Sequence, residues 1–420
     1  MTAAATTEKK PDEQPADRET FFGVFLRNLW SANSVTVTAL SIVLAVIIGG
    51  LLIIVSDADV LAKFAYFTAR PSDALTASGD LVGSAYSDLL KGAFGDPEAF
   101  SAWFNGTGTW QEAFAPISET LTYAAPLVFT GLSVALAFRG GLFNIGAQGQ
   151  AVIGCITAGV AGFAFGLPPV IALLVALLFG ALGGALWGFF PGYLKARTGA
   201  HEVITTIMLN YTATLLLSWL VLQSGVQDPN RTDAISKTVH EAAKLPSFGG
   251  VLRVHLGIVF AVAATAGVAW LLNRSAFGFE VRAVGANPHA AKTAGIGVAR
   301  TYAMLMAVAG ALAGLGGATQ VLGTAYALTP SVAGNIGFDG LLVALLGRNK
   351  PWGTLFAALL FGALRAGGNR MQSYTGISLE LVTVLQALIV IFIAAPALVK
   401  AIFRLRAARA AGLSVTPAKG

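Results

Sequence analysis

Long apolar runs separated by short polar stretches dominate this chain. A helix needs about 20 apolar residues to cross the hydrocarbon of a bilayer, and shorter or broken segments survive only where protein shields their backbone. The pattern predicts ten such blocks, near residues 35–55, 121–138, 151–165, 170–190, 204–222, 256–272, 301–322, 338–346, 354–364 and 379–398. Several are too short to cross alone. The predicted fold class is an all-α polytopic membrane protein of about ten transmembrane helices, some of them broken or half-length.

Two interruptions stand out. "FRGGLFNIGAQGQ" (Phe138 to Gln150) combines Gly140, Gly141, Gly146 and Gly149 with Asn144, Gln148 and Gln150, yet Leu142, Phe143 and Ile145 are unsuited to a plain aqueous turn. A discontinuous or re-entrant helix fits, its freed backbone groups facing protein or a water-filled path. "SVAGNIGFDGLLVALLGRNKPWG" (Ser331 to Gly353) repeats the pattern, with Asp339 heading a half-length apolar run. That carboxylate is placed either to cap the helix amino terminus or, with Asn335, Asn144, Gln148 and Gln150, to shape a polar passage. Asn210 lies in the polar beginning of the fifth block, where it faces the same passage or bonds to neighbouring helices. The string "ALLFGAL" occurs at Ala176 to Leu182 and again at Ala358 to Leu364, each copy downstream of one break. This suggests a two-repeat architecture of the kind transporters use.

Composition agrees with the pattern. The chain of 420 residues is 55% hydrophobic and 11% charged, with a mean hydropathy of +0.71, outside the range of soluble domains. Its net charge of +6 forms no basic patch interleaved with aromatics, so nucleic acid is not expected as a partner. Membrane topology accounts for it better. With the amino terminus inside, eighteen of the 27 lysines and arginines fall in inside segments, as the retention of positive loops on the cytoplasmic side requires. The 56–120 outer loop is instead acid-rich, with carboxylates from Asp57 to Glu119. The expected layout is a disordered cytoplasmic tail over 1–34, a transmembrane domain over 35–398 with a basic cytoplasmic loop at 273–300, and a basic cytoplasmic tail over 399–420. Both termini are then cytoplasmic, and the first span serves as an uncleaved anchor.

Several chemistries are disfavoured. Cys155 stands alone in an apolar block, which excludes an intrachain disulfide or a thiolate metal cluster. His201, His240, His255 and His289 lack metal-ligand spacing, and the chain has no phosphate loop with which to hydrolyse ATP. No catalytic residue, metal or cofactor is expected in this chain. Any ATP energy must come from a partner.

The most basic internal loop contains "VGANPHAAKTAGIGVAR" (Val284 to Arg300). Asn287 suits an N-cap, Pro288 the first helical position, and Gly295 the left-handed position after a helix end. A short, firmly terminated cytosolic helix is predicted, suited to docking a partner.

Three segments in this order, "GLFNIGAQGQ", "VGANPHAAKTAGI" and "GFDGLLVALLGRNKPWG", resemble the signature segments of the permease subunits of bacterial ATP-binding cassette (ABC) importers. The resemblance covers about residues 121–398. It is to the group that includes ribose and branched-chain amino-acid permeases, and closest to its nucleoside, or simple sugar, branch. It implies that Asn287 to Gly295 is a coupling helix seated in a cleft of a cytosolic ABC ATPase, with Gly285, Asn287, Pro288, Ala290, Ala291, Ala294, Gly295 and Ile296 matching the family pattern. It also implies that Asn144 to Gln150 and Gly337 to Asp339 lie near the translocation path. The implied partners are that ATPase, which binds the ATP, a second permease subunit in a heterodimer, an extracellular substrate-binding lipoprotein and the lipids of a bacterial plasma membrane. Two features depart from the pattern: the 56–120 loop is long, and Gln148 stands where glutamate is expected. The function expected on this basis is nucleoside import by alternating access. The alternatives are a ribose or simple-sugar permease of the same architecture, or an ion-coupled secondary transporter using Asp339 or Glu380.

Overall fold

The computed structural model describes residues 34–249 and 251–403. Of the amino-terminal tail only Ser34 falls within them, where it opens the first helix, and most of the 399–420 tail lies outside them. The described residues form sixteen α-helices and no β-strand beyond two isolated bridges.

The first helix, α1 (Ser34–Ser56), is followed by α2 (Ala58–Phe64), α3 (Pro71–Phe94) and α4 (Pro97–Phe104), all within the segment expected to form the outer loop. Then come α5 (Trp110–Arg139), α6 (Ala147–Ala164), α7 (Pro169–Thr198), α8 (Glu202–Leu220) and α9 (Gly257–Arg274). Two short helices, α10 (Ala276–Ala286) and α11 (Pro288–Thr293), lead into α12 (Val298–Gln320), which ends in a π-helical turn at Val321–Ala325. The chain finishes with α13 (Ile336–Leu346), α14 (Pro351–Thr375), α15 (Leu379–Ala394) and α16 (Pro396–Ile402).

Seven helices (α1, α5, α6, α7, α8, α9 and α12) are long and apolar enough to cross a membrane, and α13 and α15 are shorter apolar helices. With α14, whose 25 residues include Arg365 and Arg370, these helices account for the ten predicted apolar blocks, seven of them long enough to cross. The chain is a multi-pass membrane protein. Burial divides the long spans: α5, α6 and α12 are largely enclosed, whereas α1, α7, α8 and α9 keep most of their length at the surface, as lipid-facing helices do.

Helix contacts show which ends of several spans lie together. Arg139, at the end of α5, donates from Nε to the carbonyl of Asn349, in the turn between α13 and α14 (3.0 Å). Gly285 of α10 packs on the Arg139 carbonyl. Lys195 of α7 shares a groove with Pro288 and Arg300. The basic turns that sequence scatters over two hundred residues therefore meet at one end of the bundle, called here the basic end.

At the opposite end the 221–256 connection wraps the segment after α12. Ser236 donates its N–H to the Leu328 carbonyl and accepts the Leu328 N–H on Oγ, Val239 donates to Tyr326 O, and Leu245 donates to Leu322 O, all at 2.8–2.9 Å. His255 is sealed there at 1% exposure; its Nδ1 accepts from the Gly257 N–H (3.1 Å), which leaves the proton on Nε2. Burial, with a smaller push from Arg253, holds this imidazole down at about 4.

The helix order contains one architecture twice. α5, a break, α6 and α7 are followed later by α12, a break, α13 and α14. Here α5 ends at the basic end and α12 begins there, so the second unit runs in the opposite sense. The packing is reciprocal: α12 lies against α7, α5 against α14, α12 against α6 and α5 against α13. The two "ALLFGAL" strings lie on α7 and α14. Their glycines occupy equivalent crossings: a methyl group on Gly180 would meet Ala318 of α12 at 2.7 Å, and one on Gly362 would meet the Ala124 N–H of α5 at 2.9 Å. The repeated string thus marks where a helix must pass close to the first helix of the other unit.

Candidate functional site

The first break begins where α5 stops. Gly140 and Gly141 turn the chain, Gly141 in a left-handed conformation (φ 75°), and Leu142 is buried immediately after them. The chain re-enters the bundle through residues 142–146 and starts α6 beside α8. A helix start leaves backbone N–H groups unpaired, and at this depth no water is available to satisfy them. Asn210 of α8 does so instead: its Oδ1 accepts from the Gly149 N–H (2.8 Å) while its Nδ2 donates to the Ile145 carbonyl (3.0 Å).

Asn144 and Gln150 close on each other. Asn144 Nδ2 donates to Gln150 Oε1 (3.0 Å) and to Ser133 Oγ (3.2 Å), and Gln150 Nε2 returns a bond to Asn144 Oδ1 (3.1 Å). Both are essentially inaccessible. Gln148 reaches across to the second break, donating to the Gly334 carbonyl (2.6 Å) and accepting from the Gly337 N–H (2.8 Å). One amide therefore satisfies an acceptor before α13 and a donor in its first turn. A charged carboxylate at 148 has no donor with which to serve Gly334.

The second break follows from the first by contact. Gly337 lies directly on the backbone of Ala147 and Gln148, so the amino-terminal turns of α6 and α13 meet inside the bundle. Thr130 of α5 donates to the Ile336 carbonyl (2.8 Å). Asn335 is the N-cap residue of α13 but makes no side-chain cap bond, and the amide of Gln148 takes the capping role considered for Asp339.

The six polar candidates thus fall into two sets. Asn144, Gln148, Gln150 and Asn210 are buried and hydrogen-bonded within the two breaks, whereas Asn335 is exposed and Asp339 half-buried on the flank of α13. Arg365, which lies next to the ninth block of the sequence pattern and outside it, joins the second set. It is the exposed member of an otherwise buried stretch of α14, 361–368, and its charge acts on Asp339. A guanidinium at this depth is tolerable against water or another protein and costly against lipid. Nearby on the same helix, Asn369 donates to the Tyr123 hydroxyl of α5 (2.9 Å). The flank carrying Asn335, Asp339 and Arg365 is therefore the polar one at membrane depth. The signal in the sequence was a lone arginine within a helix-length run of small and apolar residues, which a search for uninterrupted apolar blocks discards.

At the basic end, α11 has the termini expected of it. Asn287 Oδ1 accepts from the N–H groups of His289 (3.0 Å) and Ala290 (3.1 Å), Pro288 opens the helix, and Gly295 takes φ 86° so that Ile296 can donate back to the Ala291 carbonyl (3.0 Å). Ala291 alone is buried; Asn287, Pro288, Ala290, Ala294 and Gly295 face outward. Alongside runs a groove of about 630 Å³ bordered by Lys195, His289, Lys292 and Arg300, with Lys195 held by Glu202 at 2.5 Å. Gly285 connects this helix to the first break: its backbone rests on Arg139 and Gly140, and Gly141 would meet the Gly285 Cα at 3.4 Å if it carried a methyl group. A displacement of α10 and α11 therefore bears directly on the turn that leads to Asn144.

Residues 117–394 match the family model described as "Branched-chain amino acid transport system / permease component". The chain is similar to the guanosine ABC transporter permease protein NupP of Bacillus subtilis (strain 168), with 37% identity over 323 residues, 76% of this chain and 87% of that protein. It is similar to the nucleoside ABC transporter permease protein NupB of Lactococcus lactis subsp. cremoris, with 39% identity over 291 residues, 66% and 79% of the two chains. A third relative is the glucose ABC transporter permease protein TsgB13 of Haloferax volcanii, 32% identical over 309 residues, 71% and 80% of the two chains.

Proposed function

The chain belongs to the family of branched-chain amino acid transport system permease components, and from that premise we propose that it is the permease subunit of an ABC importer for nucleosides. It is a transport component and not an enzyme; the ATPase is a separate subunit. In this reading it resides in the plasma membrane with both termini and the basic end in the cytoplasm. It pairs with a second permease chain and receives substrate from an extracellular binding lipoprotein. No cofactor is held by this chain, and ATP is bound by the partner.

The observation that carries the reading is the continuous connection from α11 through Gly285 to the first break. ATP binding draws the ATPase subunits together and moves α11, whose fixed ends transmit the displacement instead of absorbing it by fraying. The Gly285 contact passes the motion to Gly140 and Gly141, and the amides of Asn144, Gln148 and Asn210 link it to α6 and to the start of α13. Alternation between two packings of this kind opens the path to one side or the other. The polar flank at Asn335, Asp339 and Arg365 offers donors and acceptors to an uncharged, hydrogen-bonding solute and discourages an apolar one.

Uptake of labelled adenosine, guanosine, uridine and ribose by host cells with and without this chain, the ATPase partner being present in both, tests the reading. Loss of nucleoside uptake alone is expected. Loss of ribose uptake alone would place the chain with sugar permeases, which the likeness to TsgB13 keeps in view. The family favours ATP-driven transport over ion coupling, and Asp339→Asn is accordingly expected to retain ATP-driven uptake; an ion dependence present in the wild type and lost in this variant would support the ion-coupled alternative.

A further inference from the structure

A second cavity lies at the basic end, away from the α11 groove. It measures about 390 Å³ and opens between the end of α5, α9, α10 and the start of α14. Arg139, Arg282 and Lys350 line it together with Asn273, and no carboxylate is among the lining residues. Among the described residues none of these three cations is in an ion pair. Arg139 spends only its Nε, on the Asn349 carbonyl, so its two terminal nitrogens stay available. The first turn of α14 forms part of the same wall, and Lys350 at its N-cap offers no side-chain cap, so the positive end of the helix adds to the field. Three uncompensated cations and a helix start around one concavity call for an anion.

The other wall is apolar. Ala269, Leu272, Pro351 and Trp352 form it with Gly353, and Trp352 is 49% exposed. Trp270, on the adjoining face of α9, is 63% exposed, and α9 presents most of its apolar length to the surface. Exposed tryptophans beside cations at the end of a surface helix mark the headgroup level of a bilayer. A soluble anion has no use for this apolar approach, whereas a lipid fills both parts with its headgroup and its first acyl carbons.

We propose that this cavity binds the phosphodiester headgroup of an anionic phospholipid from the leaflet at the basic end, through Arg139, Arg282 and Lys350. The site is independent of the transported substrate. It sits on the turn that Gly285 contacts, so its occupancy bears on the connection between α11 and the first break.

The purified full chain in detergent is titrated with phosphatidylglycerol or phosphatidylcholine, reading the unfolding midpoint and the lipid retained in native mass spectra. A saturable rise in midpoint and retention of phosphatidylglycerol over phosphatidylcholine are expected. Arg282→Gln with Lys350→Gln should weaken that titration tenfold or more, since each basic residue near an anionic surface contributes roughly fivefold. Arg231→Gln, at the opposite end, should leave it unchanged. If the double variant does not fold, Arg282→Gln alone is read in the same way, Arg282 being exposed. Equal retention by wild type and variant overturns the proposal. So does an identical, competing shift with inorganic phosphate, which would make the cavity a site for a soluble anion.

Discussion

Asn144 and Gln150 pair amide to amide where both side chains are essentially inaccessible. Removing Asn144 leaves the Gln150 amide buried and unpaired, which costs about 1–3 kcal/mol, whereas removing Gln150 leaves Asn144 its bond to Ser133 and should cost less. Asn144→Ala and Gln150→Ala are each expected to lower the unfolding midpoint in detergent, and the double variant should be less destabilised than the sum. Strict additivity in that double-mutant cycle would show that the pair does not form. His255 makes a separate prediction. Its folded value, about 4, lies below its ordinary 6.5, so the unfolded chain binds the extra proton. Its contribution is therefore complete above 6.5 and is lost as pH falls toward 4, a change on the order of 3 kcal/mol. Unfolding midpoints measured across that window should flatten in His255→Asn. Single polar residues inside apolar runs were legible from sequence because they interrupt a simple pattern. What each one bonds to was not: Gln148 and Gly334 are 186 residues apart and meet only after two helices have been broken.

At the scale of the element, the short helix α11 was fully legible because its start and stop signals are local. Asn287→Ala removes the side-chain acceptor for two N–H groups and should cost about 1 kcal/mol of local helix stability. In the assembled complex the expected result is ATP hydrolysis that continues while nucleoside uptake falls. Gly285→Val drives a side chain into the Arg139 carbonyl and should reduce uptake tenfold or more while the chain still assembles with the ATPase. Unaltered uptake in both variants would refute the coupling role. Other elements were harder to delimit. α14 extends to Thr375, well beyond the apolar block ending near 364, because its charged half is shielded: Arg370 pairs with Asp96 at 2.8 Å. α3 carries Asp73, Asp80 and Asp88 and shows no apolar run, yet it packs on α14 at Gly92 and Leu89. Its burial depends on a partner almost three hundred residues away, which hydropathy along one segment does not register.

At the centre of the described residues, two oppositely directed copies of a four-part unit join across their breaks. The repeated "ALLFGAL" string pointed to this, but the inverted sense emerges only from which helix ends meet. Within each crossing the contacts are between backbones. Gly184 and Gly188 of α7 face Gly310 of α12, Gly314 of α12 faces Gly180 and Gly184, and Gly317 faces Ala151 of α6. Gly314→Val should accordingly prevent α6, α7 and α12 from closing, giving little folded protein in the membrane fraction; a normal yield of monodisperse protein would contradict the packing. These glycine contacts also bear on motion. Long side chains between two helices allow sliding, because rotamers can change as the surfaces shift. Main chain pressed on main chain leaves no such slack, so α6, α7 and α12 behave as one stiff arm. A lever works only if its arm does not bend, and the flexing is left to the joints at residues 140–146 and 326–335, where hydrogen bonds can be exchanged one at a time.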